Sequence, residues 1–187
     1  EFLSDKHIKI EFQGGEPLLN FNFIRNFFDT AKIKLKGKHI EFVIATALGP
    51  INNEMLEWIE LNNIHLSVSF DGPEHIHSNN RPSKKFNSYE NTVDNIRLIK
   101  KHFKGIDVSL LSTITKQSLK HPKQIVDSYL ELGTKNLFIR PLSPYGFATD
   151  TWGTLGYSAN EFMNFYKELI AYIQELPQDI IEHSALF

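Results

Sequence analysis

The stretch Ile10-Glu11-Phe12-Gln13-Gly14-Gly15-Glu16-Pro17-Leu18-Leu19 decides how this chain folds. It joins a strand pattern to a helix start through two glycines. His7 to Phe12 reads as a short strand, and Gly14-Gly15 breaks it because glycine reaches backbone conformations that other residues avoid. Pro17 suits a first helical position, where its missing N–H costs nothing, and Glu16 beside it favours the positive end of a helix. A strand that passes through so short a turn into a helix opens a βαβ unit, and the next strand should lie parallel to it.

The rest of the chain repeats that unit. Phe21, Ile24, Phe27, Phe28 and Ala31 recur at helical spacing, with Asn20 or Asn22 as N-cap. His39 to Ala45 is the next strand, and Asn52 caps a helix whose inner face is Met55, Leu56 and Ile59. Ile64 to Phe70 is a third strand, closed by the turn signal Asp71-Gly72-Pro73. The polar stretch from Glu74 to Asn87 reads as a long functional loop. Ser88 then opens a helix buried through Val93, Ile96, Ile99 and Phe103, and Ile106 to Ile114 is a fourth strand. Pro122 starts a helix that buries Ile125, Val126, Tyr129 and Leu130 and stops at Gly133. Asn136 to Leu142 is a fifth strand, and Ser158 with Glu161 forms a capping-box pattern before Phe162, Phe165, Tyr166, Leu169, Ile170 and Ile173. This alternation predicts an α/β fold with a parallel sheet in one domain. Periodicity alone does not choose between an open sheet and a barrel.

Composition narrows the function classes. A net charge of −2 with interspersed signs gives no reason to expect nucleic acid or an anionic membrane as partner. No apolar run reaches the roughly 18–20 residues of a bilayer span, and the start is not a signal peptide, so a soluble cytoplasmic protein is expected. There are 0 cysteines among the 187 residues, which excludes disulfides, thiolate chemistry and any cysteine-ligated cluster within them. The chain begins at Glu1-Phe2 and ends at Ala185-Leu186-Phe187, within what reads as a helical apolar face. Both ends look like cuts through a fold, and an internal fragment is the expectation.

In a parallel sheet, ligands gather beyond the carboxyl ends of the strands. Gln13, Gly14, Gly15 and Glu16 follow the first strand, and Thr46 and Gly49 the second. Ser67, Ser69, Asp71 and Gly72 end the third, Ser109, Ser112, Thr113 and Thr115 lie on the fourth, and Arg140, Pro141 and Ser143 end the fifth. Five polar strand ends together suggest a lined site. Each also has a plain structural reading. Gly-Gly-Glu-Pro could be only a tight turn, Asp71-Gly72-Pro73 only a loop, Gln13 a backbone-bonding amide, and Arg140 a neutralising charge. His75 and His77 alternate as a metal pair could, yet no carboxylate or cysteine stands at ligand spacing.

Taken in order, these motifs resemble the radical S-adenosylmethionine (SAM) superfamily, in its peptide- and protein-maturing branch with SPASM-type extensions. Phe12 to Leu19 is similar to that family's GGEP motif, and Ser67-Val68-Ser69-Phe70-Asp71-Gly72-Pro73 to its S-x-D-G-P segment. Arg81-Pro82 lies in the same downstream loop as the branch's arginine, and Ser112-Thr113-Ile114-Thr115 matches its fifth strand. Leu137 to Ala148, Leu155-Gly156-Tyr157 and Phe162 to Tyr166 resemble, more narrowly, the maturase of the His-Xaa-Ser repeat peptide system.

The resemblance implies strands 2 to 6 of a partial (β/α)6 TIM-like barrel, spanning residues 1–187. It implies a [4Fe–4S] cluster held by a C-x3-C-x2-C loop that this chain lacks, and SAM cleaved to a 5′-deoxyadenosyl radical that attacks a peptide substrate. An electron donor is the further partner, and the cysteine-free fragment alone should hold no cluster and not turn over. By the same resemblance Glu16 would meet the SAM ammonium, with Gly14, Gly15 and Gln13 close by. Ser69, and with it Asp71, would contact ribose or methionine; Arg81 would pair with the SAM carboxylate, and Leu142 would flank adenine. Departures stand at His77-Ser78, where relatives carry His-Asp, and at Thr46-Ala47-Leu48-Gly49. The competing expectation is a degenerate barrel that binds a peptide or scaffolds a partner.

Overall fold

The computed structural model describes residues 7–186. Six strands form one parallel sheet in chain order: β1 (His7–Phe12), β2 (His39–Thr46), β3 (His65–Ser69), β4 (Val108–Ile114), β5 (Asn136–Pro141) and β6 (Ile181–Glu182). The helices between them are α1 (Phe21–Lys34), α2 (Asn53–Leu61), α3 (Glu74–Asn80), α4 (Ser88–His102), α5 (Pro122–Glu131), α6 (Phe147–Leu155) and α7 (Ala159–Glu175). This is the expected α/β architecture with a parallel sheet. The described residues fall into two compact units, one of residues 7–68 with 94–109 and the other of residues 69–93 with 110–186.

In the first unit β1 and β2 pair in register from His7 opposite His39 to Phe12 opposite Ile44. Leu66 N donates to Asp107 O at 2.9 Å, continuing the ladder beyond β3. The core buries the consecutive Phe42, Val43 and Ile44 of β2, alternate residues of β3 and one stripe of each helix, with Ile24, Ile44, Leu56, Ile59 and Leu66 all but fully buried. Trp58 of α2 meets Phe21 and Phe28 of α1 edge-on, at centroid distances of 5.3 and 5.2 Å. Asn52 caps α2 as its sequence position predicts, its side chain accepting from Met55 N at 2.9 Å. Asn20 is the N-cap of α1 by position, but its side chain makes no capping bond.

In the second unit Phe70 N donates to Leu111 O at 2.9 Å, and β4 pairs with β5 up to Ile114 opposite Pro141. Pro122 stands in the first turn of α5, and Gly133 takes the left-handed conformation beyond its end. Ser158 and Glu161 form the full capping box of α7. Gly72 adopts φ +108°, and a Cβ there would stand 2.9 Å from Ile125 Cγ1. Any side chain would therefore push α5 off the turn.

Several expectations are corrected. The stretch from Glu74 begins with helix α3, because Pro73 is extended at its N-cap and Ile76 and His77 are buried under it. A helix also forms over Phe147–Leu155, where Gly146 at φ +61° turns the chain into it. The C-terminal apolar face is not a continued helix: α7 stops at Glu175, β6 follows, and His183–Leu186 is a 3-10 turn. Glu1, Phe2 and Phe187 lie outside the described residues.

Candidate functional site

Each unit carries one group of the residues singled out in the sequence. In the first, the turn after β1 delivers Glu16 as N-cap of the 3-10 turn Pro17–Asn20. Its Oε1 accepts from Leu18 N at 3.2 Å and from the Thr46 hydroxyl at 2.7 Å. Its Oε2 accepts from Ala47 N at 2.9 Å. Thr46 is buried at the end of β2 and in turn accepts from Leu48 N at 2.8 Å. The carboxylate is half-buried and, among the described residues, accepts from three donors, one in the 3-10 turn and two at the end of β2. Gly14 and Gly15 are exposed, with open space where a Cβ would stand. Gln13 is exposed and gives its amide to Glu11 Oε1 at 2.7 Å.

In the second unit the centre is Asp71, 0 % exposed just past β3. Its Oδ1 accepts from Arg81 Nη2 at 3.1 Å and from Thr113 N at 2.9 Å. Arg81 Nε lies 2.8 Å from Oδ2, an ion contact rather than an aligned hydrogen bond. The backbone is held as firmly. Asp71 N donates to His77 Nδ1 at 3.3 Å, and Arg81 N donates to His77 O at 2.8 Å. His77 is fully buried between Phe70 and Tyr89. Burial pulls its imidazole down to about 4, Arg81 adds to the fall, and the Asp71 carboxylate opposes it. A neutral ring that accepts at Nδ1 carries its proton on Nε2.

Ser69, the last residue of β3, is half-buried in this unit. Tyr129 on α5 donates its hydroxyl to Phe70 O at 2.9 Å and closes the end of that strand. Its complete burial pushes the phenol well above its ordinary range. Leu142 is half-buried, and its N donates to Tyr157 Oη at 2.8 Å, while that hydroxyl donates to Ile114 O at 3.0 Å. The phenol thus takes the place of the next rung between β4 and β5. Arg140 is exposed at the end of β5.

The structure therefore joins Glu16 to Thr46, and Asp71 to Arg81. Gln13 and Leu142 are held by other partners. His75 and His77 do not form a pair: His75 is exposed and meets His121 edge-on, whereas His77 is interior. Among the described residues no group of three or more His, Cys, Asp or Glu could hold a metal, and no helix is long and apolar enough to cross a membrane. The parts that sequence reasoning missed are His77 as a backbone acceptor, Tyr129 as a strand-end donor and Tyr157 as a bridge. For Tyr129 there was a signal, since a tyrosine among aliphatic residues on a buried stripe needs an acceptor for its hydroxyl.

Residues 3–129 match the radical SAM superfamily. An uncharacterized protein of Methanocaldococcus jannaschii is 31% identical over 143 residues, covering 75% of this chain and 48% of that protein. A cysteine-type anaerobic sulfatase-maturating enzyme of Clostridium novyi is 25% identical over 125 residues, covering 65% of this chain and 33% of the enzyme. Among solved structures, native anSMEcpe with bound AdoMet and the Kp18Cys peptide superposes with a TM-score of 0.82 at 20% identity. That likeness covers 97% of this chain and 51% of the other, and it is a likeness of fold. The chain spans about half the length of the first two curated relatives it matches, 48% and 49%.

Proposed function

The chain belongs to the radical SAM superfamily, and from that premise we propose that it is the core domain, residues 1–187, of an enzyme that modifies a peptide or small protein. SAM, bound to a reduced [4Fe–4S] cluster, supplies the 5′-deoxyadenosyl radical for that class of reaction. With 0 cysteines, none of these residues fits the cluster, whose ligands belong in this reading to other residues of the whole protein. In this reading the chain's own residues would hold SAM. The observation that carries the reading is Glu16, an anchored carboxylate beside two open glycines at the strand end. Three donors among the described residues hold it in place, and Oε2, with one of them, keeps a lone pair for an ammonium group.

Arg81 would take the SAM carboxylate, Ser69 the ribose or methionine, and Leu142 one face of adenine. Gln13 would reach the ligand only after leaving Glu11. Support for a peptide substrate comes from the sulfatase-maturating relative and the peptide-bound structural neighbour. The string Arg140-Pro141-Leu142-Ser143-Pro144-Tyr145-Gly146 favours a His-Xaa-Ser repeat peptide. A low-potential electron donor and a cytoplasmic location complete the proposal. The test is anaerobic reconstitution of the whole protein with iron, sulfide and dithionite. Release of 5′-deoxyadenosine from SAM is expected. No cleavage, together with no C-x3-C-x2-C ahead of this region, would sustain the second reading, a peptide-binding scaffold, which the missing cysteines favour.

A further inference from the structure

We propose that Asp71 is a positioning residue, which fixes Arg81 as the receptor of a ligand carboxylate and touches no ligand itself. The proposal rests on the assignment of Arg81 to the SAM carboxylate and gives that assignment a geometry within one unit. Asp71 has nothing to offer a ligand, because it is 0 % exposed and both its oxygens face Arg81. Its Oδ1 also accepts from Thr113 N. A hydroxyl of ribose has no route to it.

Arg81 is different. A guanidinium carries five N–H groups in one plane. Nε and one Nη2 N–H turn toward Asp71, and the side chain remains 28% exposed. Among the described residues Nη1 has no protein partner, and it is not among the buried polar atoms left unsatisfied. One edge of the fork is thus occupied and another is open to solvent. An open edge in a fixed plane suits a second carboxylate in a two-bond arrangement.

The plane is fixed from several directions. Arg81 N is tied to His77 O at the end of α3, and Asp71 N to His77 Nδ1. Gly72, the residue after Asp71, lies too close to Ile125 to admit a Cβ. A free arginine in a loop would lose side-chain entropy on binding, whereas this one has lost it on folding. The charge count adds a selectivity. Asp71 already neutralises Arg81, so a simple anion would meet an arm without net charge. A ligand carboxylate that brings its own positive charge, as in an amino-acid moiety, leaves less repulsion against Asp71.

The experiment compares SAM with decarboxylated SAM in calorimetric titrations of the whole protein and its Asp71→Asn, Arg81→Gln and doubly substituted variants. Asp71→Asn is expected to weaken SAM binding by about tenfold. It should leave decarboxylated SAM unchanged and add nothing once Arg81→Gln is present. Asp71→Glu, which keeps the charge, should recover part of the loss. The Arg81 Nε–H resonance of the unliganded protein supplies a readout that needs no ligand, and it should shift and exchange faster in Asp71→Asn. Equal losses for both ligands, additive losses in the double variant, or an unchanged Nε–H resonance each overturn the role given to Asp71. If Arg81→Gln keeps the preference for SAM over its decarboxylated form, the assignment beneath the proposal is overturned. The Nε–H comparison then decides separately whether Asp71 fixes Arg81.

Discussion

The Thr46 hydroxyl donates to Glu16 Oε1 at 2.7 Å across 30 residues of sequence and accepts from Leu48 N at 2.8 Å. One buried oxygen therefore serves as donor to the motif carboxylate and as acceptor for the turn after β2. Valine, its nearest isostere in shape, can do neither. Thr46→Val should cost about 1–3 kcal/mol, since it removes a buried hydroxyl that bonds both Glu16 and Leu48 N. Urea denaturation should show this loss, and Thr46→Ser should restore most of it. A Val variant as stable as the parent would remove the hydroxyl from the account of how Glu16 is held.

Gly72 is the second place where a single atom decides. Its φ of +108° disfavours any L side chain, and a Cβ would come within 2.9 Å of Ile125 Cγ1 and 3.3 Å of Ile125 Cα. Gly72→Ala should destabilise by about 1–3 kcal/mol through strain and displacement of α5. Pairing it with Ile125→Ala tests the steric part: the second change should recover some of what the first loses.

His77 gives the stability a pH dependence of known sign. Its folded value is about 4 against an ordinary 6.5. Between those values the unfolded chain takes up a proton that the folded chain refuses. The stabilisation is thus complete above pH 6.5, declines as pH falls toward 4, and is flat below. The full excursion is about 3 kcal/mol at most by linkage. The charged and titratable groups facing the ring are Asp71, Arg81 and Tyr89. His77→Gln should flatten this part of the profile of denaturation midpoint against pH. An unchanged slope would place the dependence on other groups.

Tyr157 bridges Leu142 N and Ile114 O through one phenol oxygen. Tyr157→Phe should cost about 1–2 kcal/mol. The Leu142 amide should also lose protection from hydrogen exchange, while amides within β1 and β2 keep theirs. Loss of protection throughout the chain would mean that the bridge supports the fold as a whole and not the strand tips.

Much of the fold was readable before the structure, and for identifiable reasons. Pro17, Asn52, Pro122, Gly133 and the Ser158/Glu161 box act through their own backbone, so local sequence is enough to place them. Helix α3 was missed because its seven residues, Glu-His-Ile-His-Ser-Asn-Asn, bury only Ile76 and His77 and show no stripe. Strand β6 was missed because two residues make no period. In the candidate site, residue types at strand ends could be read, but partners could not. Asp71 looks identical in sequence whether it faces a ligand or Arg81. The fold brings Arg81 and, from 42 residues away, the Thr113 amide onto that carboxylate, and the sequence spacing shows neither contact.

The same separations bear on the order of assembly. Phe70 O waits for Tyr129, 59 residues later, and Asp71 waits for Thr113. Contacts so distant along the chain form only after the intervening loop has been closed, and closure is paid in entropy before any contact is made. The turn at Asp71-Gly72 should therefore set late in folding, once α5 has docked. On a ribosome, residues up to 81 would carry both Asp71 and Arg81 but lack the Thr113 amide and the Tyr129 hydroxyl that hold the turn between them. The proposed carboxylate-binding arm would set only when the chain well beyond it has emerged, which would tie ligand capture to a finished second unit.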